Sequence, residues 1–476
     1  MVMSRSDLLF ERTMIERIST CRCCSVLSAI APTAEAKMDR IIRARGLHFP
    51  GATDDSMVFY EDAVLCVNEG KIVEFDQAET LQAQGLDLSR CEHHPDQLLM
   101  PGFIDPHIHF PQLDVVASYG TRLLEWLETY TFPAERRFSD QHFAETAANE
   151  FCNALLAAGT TTAMAYASSH PTSVEALFKA ARARRMRLLT GKVLMDQNAP
   201  DGVRDAMPEA IRESERLLMT WHGVDRLGYV ITPRFAGTST PEQLEAAGEL
   251  FSRYPETWVQ THLSETVEEI AWTAEIHPQA KHYFDIYERV GLIGPRAMMG
   301  HCIHLSEEEV NRMSETGTAA VFCPSSNLFL GSGLMPLDRL EAAEIPVALA
   351  SDVGGGPQMC LLHTMADAYR VLQLQQRPLS AREAFFRITK GNARVLQLEG
   401  EIGDFRIGSA ADFVLLDPTR SREVERRVAI SQTIDEALFA MMILGDARLI
   451  VETTVLGAPV YQAGALKASE LEALNG

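Results

Sequence analysis

The stretch LLMPGFIDPHIHFPQ, residues 98–112, starts as an apolar run and ends on polar side chains that a core cannot bury without partners. Its first part, Leu98 to Asp105, reads as a β-strand. Seven more apolar, β-branched runs follow: Thr160–Ala167, Arg187–Met195, Arg226–Pro233, Thr257–Leu263, Ala297–Cys302, Thr318–Cys323 and Ile345–Ser351. Between them lie longer segments such as FAETAANEFCNALLAAG (143–159) and TPEQLEAAGELFSRY (240–254). These carry apolar residues at helical spacing and begin near Ser, Thr or Asp, as helices do. Eight strand-helix units in series predict an α/β fold, a (β/α)8 TIM barrel spanning 98–399.

The flanks read differently. VLCVNEGKIVEF (64–75), SAADFVLLD (409–417) and LIVETTVLGAPVY (449–461) are strand-like and broken by Gly or Asn turns. Neither flank makes a convincing sheet alone, so residues 40–97 and 400–476 are expected to pair into one small composite β-sandwich domain beside the barrel. Residues 1–39 are expected to be a flexible extension upstream of a natural start at Met38. Asp7, Glu11 and Glu16 argue against a targeting peptide, and the CRCC cluster at 21–24 lacks a second Cys or His pair at zinc-finger spacing.

The 476 residues carry 43 basic and 65 acidic side chains, a formal charge of −22 that repels phosphate backbones and anionic lipid. Nucleic-acid and membrane roles are therefore disfavoured, and a small neutral or cationic substrate is expected. The nine cysteines are odd in number and scattered, which suits reduced thiols in a cytoplasmic protein. The long uncharged run 316–337 contains Pro324, Gly331 and Gly333 and cannot form a membrane helix.

The chemistry is expected at the strand ends. His107 and His109 are two residues apart, so in a strand both imidazoles project from one face. The fifth strand runs into THLSE with His262, the sixth into GHCIH with His301 and the eighth into ASDVGGG with Asp352. All four strings fall at the C-terminal rim, where such barrels build their sites. Imidazoles with a carboxylate and an open position for water suit Zn²⁺, which lowers the pKa of bound water to about 7. Glu265, three residues after His262, is placed to shuttle protons, although an acid there also suits the first turn of the helix that follows. Other hydrolase and nucleotide signatures are missing: no H-x-E with P-C-x-x-C, no HExxH, no Walker-type loop. The Gly-rich VGGG at 353–356 follows the Asp352 strand and reads as backbone that approaches the site.

HxH, His, His and Asp on strands one, five, six and eight resemble the amidohydrolase superfamily. The strings FPQ after His109, TPRF (232–235), THLSE (261–265), GHCIH (300–304) and FCPSSNLFLGSG (322–333) resemble its guanine-deaminating branch. That resemblance implies hydrolysis of guanine to xanthine and ammonia by a homodimer with one Zn²⁺ per chain. Dinuclear members use a modified lysine at the end of strand four, where this chain has Thr232, Pro233, Arg234 and Phe235. By resemblance, His107, His109, His262 and Asp352 hold the metal, and His301 hydrogen-bonds the bound water or the leaving group. Hydroxide on the metal attacks C2 while Glu265 and Asp352 shuttle protons, making Glu265, Asp352 and His301 the catalytic residues. Arg234 suits the O6 acceptor, Gln112 the ring nitrogens and Phe235 an apolar wall. His109, His262, Glu265 and Asp352 complete the substrate contacts. Arg234 could instead only neutralise an acidic neighbour, and Phe235 could be core. The rival readings are a related ring-amine or chloro-triazine hydrolase and a metal-free scaffold relative.

Overall fold

In the computed structural model, which describes residues 38–464 apart from residue 121, the run Leu98 to Asp105 belongs to two different sheets. Leu98, Leu99, Met100 and Pro101 end the strand Glu92–Pro101, which pairs with Phe413–Leu416 and Arg40–His48. The chain then passes through Gly102 into the first barrel strand, Phe103–His109. The boundary expected at 97/98 therefore falls inside a strand: the break lies at Pro101-Gly102, and Leu99 before it and Phe103 after it are buried in different cores. Gly102 marks the crossing: a Cβ there would lie 2.3 Å from Thr161 Oγ1. Gly102→Ala is expected to destabilise the protein by about 2 kcal/mol through overpacking, read as a lowered midpoint in thermal unfolding.

The flanks pair as the sequence suggested. Their strands form one seven-stranded sheet in the order 458–462, 450–455, 413–416, 92–101, 40–48, 58–68, 71–77, so the two flanks lie side by side and join where 413–416 pairs with 92–101. The last residues of the expected composite domain, 465–476, and residues 1–37 of the expected extension, including the cysteine cluster at 21–24, lie outside the described residues.

The second sheet holds eight parallel barrel strands: Phe103–His109, Thr160–Tyr166, Arg187–Gly191, Leu227–Pro233, Trp258–Leu263, Ala297–His301, Ala319–Phe322 and Val347–Leu349. They are counted below as barrel strands one to eight. A two-residue strand, Val193–Leu194, extends the edge of strand four. Strands one and eight are closed on each other by side chains and single backbone bonds. At the bottom, buried Asn392 donates to Ile104 O and Leu349 O and accepts from Leu349 N–H. In the middle, Asp105 accepts from the Ser351 N–H and hydroxyl. At the top, Asp352 N–H donates to His107 O at 2.9 Å and His109 N–H to Val353 O at 2.6 Å. This closure sets His107, His109 and Asp352 side by side.

The outer helices form where amphipathic spacing and caps agree. Gln141–Ala157 starts at Asp140, whose carboxylate accepts from Phe143 N–H at 2.7 Å, and it buries Ala144, Ala148, Phe151, Cys152, Leu155 and Leu156 against the barrel. Each large side chain in that row contributes about 1.5–3 kcal/mol of transfer free energy. No described helix is long and apolar enough to cross a membrane.

Candidate metal centre and ligand cavity

The expected site residues converge at the C-terminal ends of the strands. The ligand atoms of His107, His262, His301 and Asp352 all lie within 4.8 Å of one another. His109 joins the same group, with Nε2 3.2 Å from Asp352 Oδ1 and 3.3 Å from His262 Nε2. Nε2 of His107 lies 3.3 Å from that same carboxylate oxygen yet makes no hydrogen bond of acceptable geometry. His301 approaches the opposite oxygen, Asp352 Oδ2, at 3.7 Å, and its Nε2 is shared with Glu265 Oε2 at 3.4 Å.

Tautomers follow from the second nitrogen of each ring. His262 Nδ1 lies 2.6 Å from Arg234 O, which accepts its proton and leaves Nε2 with a lone pair toward the cluster. His301 Nδ1 likewise donates to Asn327 Oδ1 at 2.9 Å. Burial holds His107 and His262 below the usual imidazole range and His109 down to about 4, which keeps their lone pairs available. Burial alone would raise Asp352, but the surrounding imidazoles of His107, His109 and His301 outweigh it and keep the group anionic. Facing ring nitrogens 3.3 Å apart, an orphaned imidazole nitrogen and one carboxylate are the donor set a divalent cation satisfies.

The backbone carries strain at this place. Ser264, His301, Cys302 and Asp352 all have φ between 50° and 70°, a left-handed conformation that costs free energy for residues with a Cβ. Gly300, beside His301, has no such freedom to spare, because a Cβ there would sit 2.5 Å from the His107 ring.

Glu265 is not the helix cap. The helix Val267–Ile276 is capped by a box in which Thr266 accepts from Glu269 N–H and Glu269 Oε2 accepts from Thr266 and Glu265 N–H. The Glu265 carboxylate is thus free to face the site, where it accepts from Ser332 Oγ at 2.7 Å. Burial pushes it up to about 7 against the opposing pull of His301, so it can gain or lose a proton near neutrality.

A cavity opens beside the cluster, bounded by His109, Gln112, Arg234, Phe235, Glu265 and Asp352 among others. Arg234 and Phe235 are both buried, and both alternatives raised for them are partly realised. Phe235 packs against Trp272 with ring centroids 5.9 Å apart while lining the cavity. Arg234 pairs with Glu135, its Nη1 2.7 and 2.8 Å from the two carboxylate oxygens, and lines the cavity as well. The VGGG backbone approaches as expected: Gly354 N–H donates to Gln112 Oε1, and Gly355 lines the wall.

Sequence reasoning missed Tyr166, whose ring stacks on His109 at 4.4 Å, and the supporting Ser332, Asn327, Glu135 and Glu269. Tyr166 ends strand two, a position the rim rule could have flagged; Asn327 and Ser332 lie within the string FCPSSNLFLGSG (322–333) that resembles the family but were given no role, and Glu135 and Glu269 sit on helices with no pattern to mark them. Lys192, which follows strand three, is buried and ion-paired to Asp205, with Glu213 at 3.7 Å, so its ammonium is already committed.

Residues 98–458 match the amidohydrolase family. The chain is 43% identical over 418 residues to guanine deaminase of Escherichia coli, covering 88% of this chain and 95% of that protein. The solved E. coli guanine deaminase superposes with a TM-score of 0.87 at 42% identity, covering 89% of this chain and all of the other. Guanine deaminase of C. acetobutylicum, solved with guanine bound in its active site, superposes with a TM-score of 0.81 at 28% identity.

Proposed function

The chain belongs to the amidohydrolase family, and on that premise we propose that it hydrolyses guanine to xanthine and ammonia with one Zn²⁺ per chain. The observation that carries this reading is the meeting of five His and Asp side chains, one proton-exchanging carboxyl and a cavity walled by Arg234, Gln112 and Phe235. His107, His109, His262 and Asp352 are the ligands in this proposal. His301, whose Nε2 is shared between Glu265 and the far oxygen of Asp352, is left to hydrogen-bond the attacking water or the departing amine. A bound zinc ion supplies Lewis acidity that makes a water nucleophilic near neutral pH.

The protein groups then divide the proton work. Asp352 accepts the proton that water gives up as the C2–O bond forms. Glu265 hands its proton to ring N3, takes up the proton of the new C2 hydroxyl and passes it to the amine as the C2–N bond breaks, and the proton held by Asp352 returns to Glu265, so water and guanine balance xanthine and ammonia. Arg234 meets O6, Gln112 the adjacent ring nitrogens, and Phe235 one face of the purine. All six described cysteines are free, which supports a reducing, cytoplasmic setting.

The test is ammonia release from guanine, adenine, cytosine and ammeline by purified, metal-quantified protein. Guanine should lead by a wide margin, and turnover of ammeline without guanine would transfer the assignment to the triazine branch. The commitment of Lys192 to Asp205 and the absence of a lysine at the end of strand four support a single ion. About one equivalent of zinc per chain is expected, lost in His107→Ala and Asp352→Ala. Two tightly held equivalents by elemental analysis, or activity surviving complete chelation, would contradict it.

A further inference from the structure

We infer that Glu135 is a specificity-determining positioning residue, the shared anchor that aims Arg234 and Gln112 at a neutral ring carrying a carbonyl acceptor. This rests on the proposed reading of the same cavity and adds to it a residue that the reaction itself does not require.

The argument begins with the helical segment that carries Glu135. Leu123–Trp126 and Phe132–Arg136 are α-helical, but the turn between them, Leu127–Thr131, is π-helical. Pro133 lacks the N–H and brings a ring that crowds the preceding turn, and a wider turn accommodates it. The segment lines the cavity with Leu123, Trp126 and Leu127 and buries Glu135 completely. Phe132 lies beneath the guanidinium of Arg234, with Cζ 5.4 Å from the ring centroid.

Among the described residues, every partner of the Glu135 carboxylate is a cavity residue. Both oxygens accept from Arg234 Nη1, and Oε1 also accepts from Gln112 Nε2 at 3.3 Å. The remaining guanidinium N–H groups are left for a ligand. The bond to Glu135 also decides which way the Gln112 amide points. With Nε2 donating to Glu135, Oε1 must accept, and it does so from Gly354 N–H at 3.3 Å. One N–H and one lone pair of Gln112 remain for a ring edge.

Charge completes the case. Side-chain exposures of 3% for Arg234 and 1% for Glu135 mean that neither ion is hydrated, so removing one strands the other. Paired, they present directional donors with no net charge, which selects a neutral heterocycle over an anion.

The test is a double-mutant cycle in the metal-loaded full chain. Kd for hypoxanthine, which keeps the carbonyl and lacks the 2-amine, is measured by calorimetry, and kcat and KM for guanine by ammonia release. E135Q is expected to weaken hypoxanthine binding by about 30- to 100-fold and to raise KM more than it lowers kcat, since a charge-assisted hydrogen-bond network is lost. Zinc content should not change. In an R234M background the same change should cost less than about 3-fold, because residues acting as a unit are not additive. E135D, with its charge withdrawn by one methylene, should fall between parent and E135Q, and it serves if E135Q does not fold. Equal losses in both backgrounds, or an unaltered Kd in the parent background, would overturn the inference. A parent that binds hypoxanthine but releases no ammonia from guanine would sink the guanine reading and leave the anchor standing.

Discussion

Glu265→Gln should lower kcat for guanine by about 10³- to 10⁴-fold while leaving zinc content and thermal midpoint near the parent values. The substitution is nearly isosteric, and glutamine Oε1 can still accept from the Ser332 hydroxyl that holds Glu265 Oε1 at 2.7 Å. The helix that follows is capped by Thr266 and Glu269, so its stability does not depend on the Glu265 side chain. What the variant removes is the capacity to gain and lose a proton, in a carboxyl whose burial already places it at about 7. Steady-state kinetics alongside elemental analysis and calorimetry separates these effects. A variant turning over near the parent rate would strip Glu265 of its proposed role and point to His301, 3.4 Å away, as the proton carrier.

The contrast between Glu265 and Glu135 shows what a sequence reveals and what it conceals. His107, His109, His262, His301 and Asp352 were legible because each ends a short apolar run, and the barrel's topology turns that one-dimensional position into a shared rim. Glu265 was legible by its distance from His262. Glu135 has no such marker: it lies in an irregular stretch between strands one and two, where a π-helical turn breaks the 3.6-residue period. Its partner Arg234 is 99 residues away, a pairing that only the folded barrel creates. Closure was hidden for a similar reason. Asn392 reads as an ordinary helix residue, yet its amide joins strands one and eight, which have no continuous ladder of their own. The strand boundary was missed although Pro101-Gly102 marks it, because hydrophobicity records burial and does not record which core receives it.

Arg234→Met should collapse discrimination between guanine and adenine. An Arg234 N–H aimed at the 6-position is paired by the guanine carbonyl and meets another donor in the 6-amine of adenine. A buried charged donor left without an acceptor costs far more than a missing methylene, so the parent should favour guanine by about 10⁴-fold in kcat/KM. The variant should lose most of its guanine kcat/KM and narrow that ratio, with zinc content unchanged because Arg234 contributes only its backbone carbonyl to His262 Nδ1. A complication follows from the ion pair. Methionine leaves the Glu135 carboxylate buried without its cation, and breaking a buried pair this way destabilises by about 3–5 kcal/mol, enough to blur a kinetic comparison near the assay temperature. The E135Q/R234M double variant addresses it: with no stranded charge it should recover much of the thermal midpoint and keep the narrowed ratio. If the ratio returned along with the stability, the collapse in R234M would reflect a damaged fold, and Arg234 would leave the recognition site as a structural partner of Glu135.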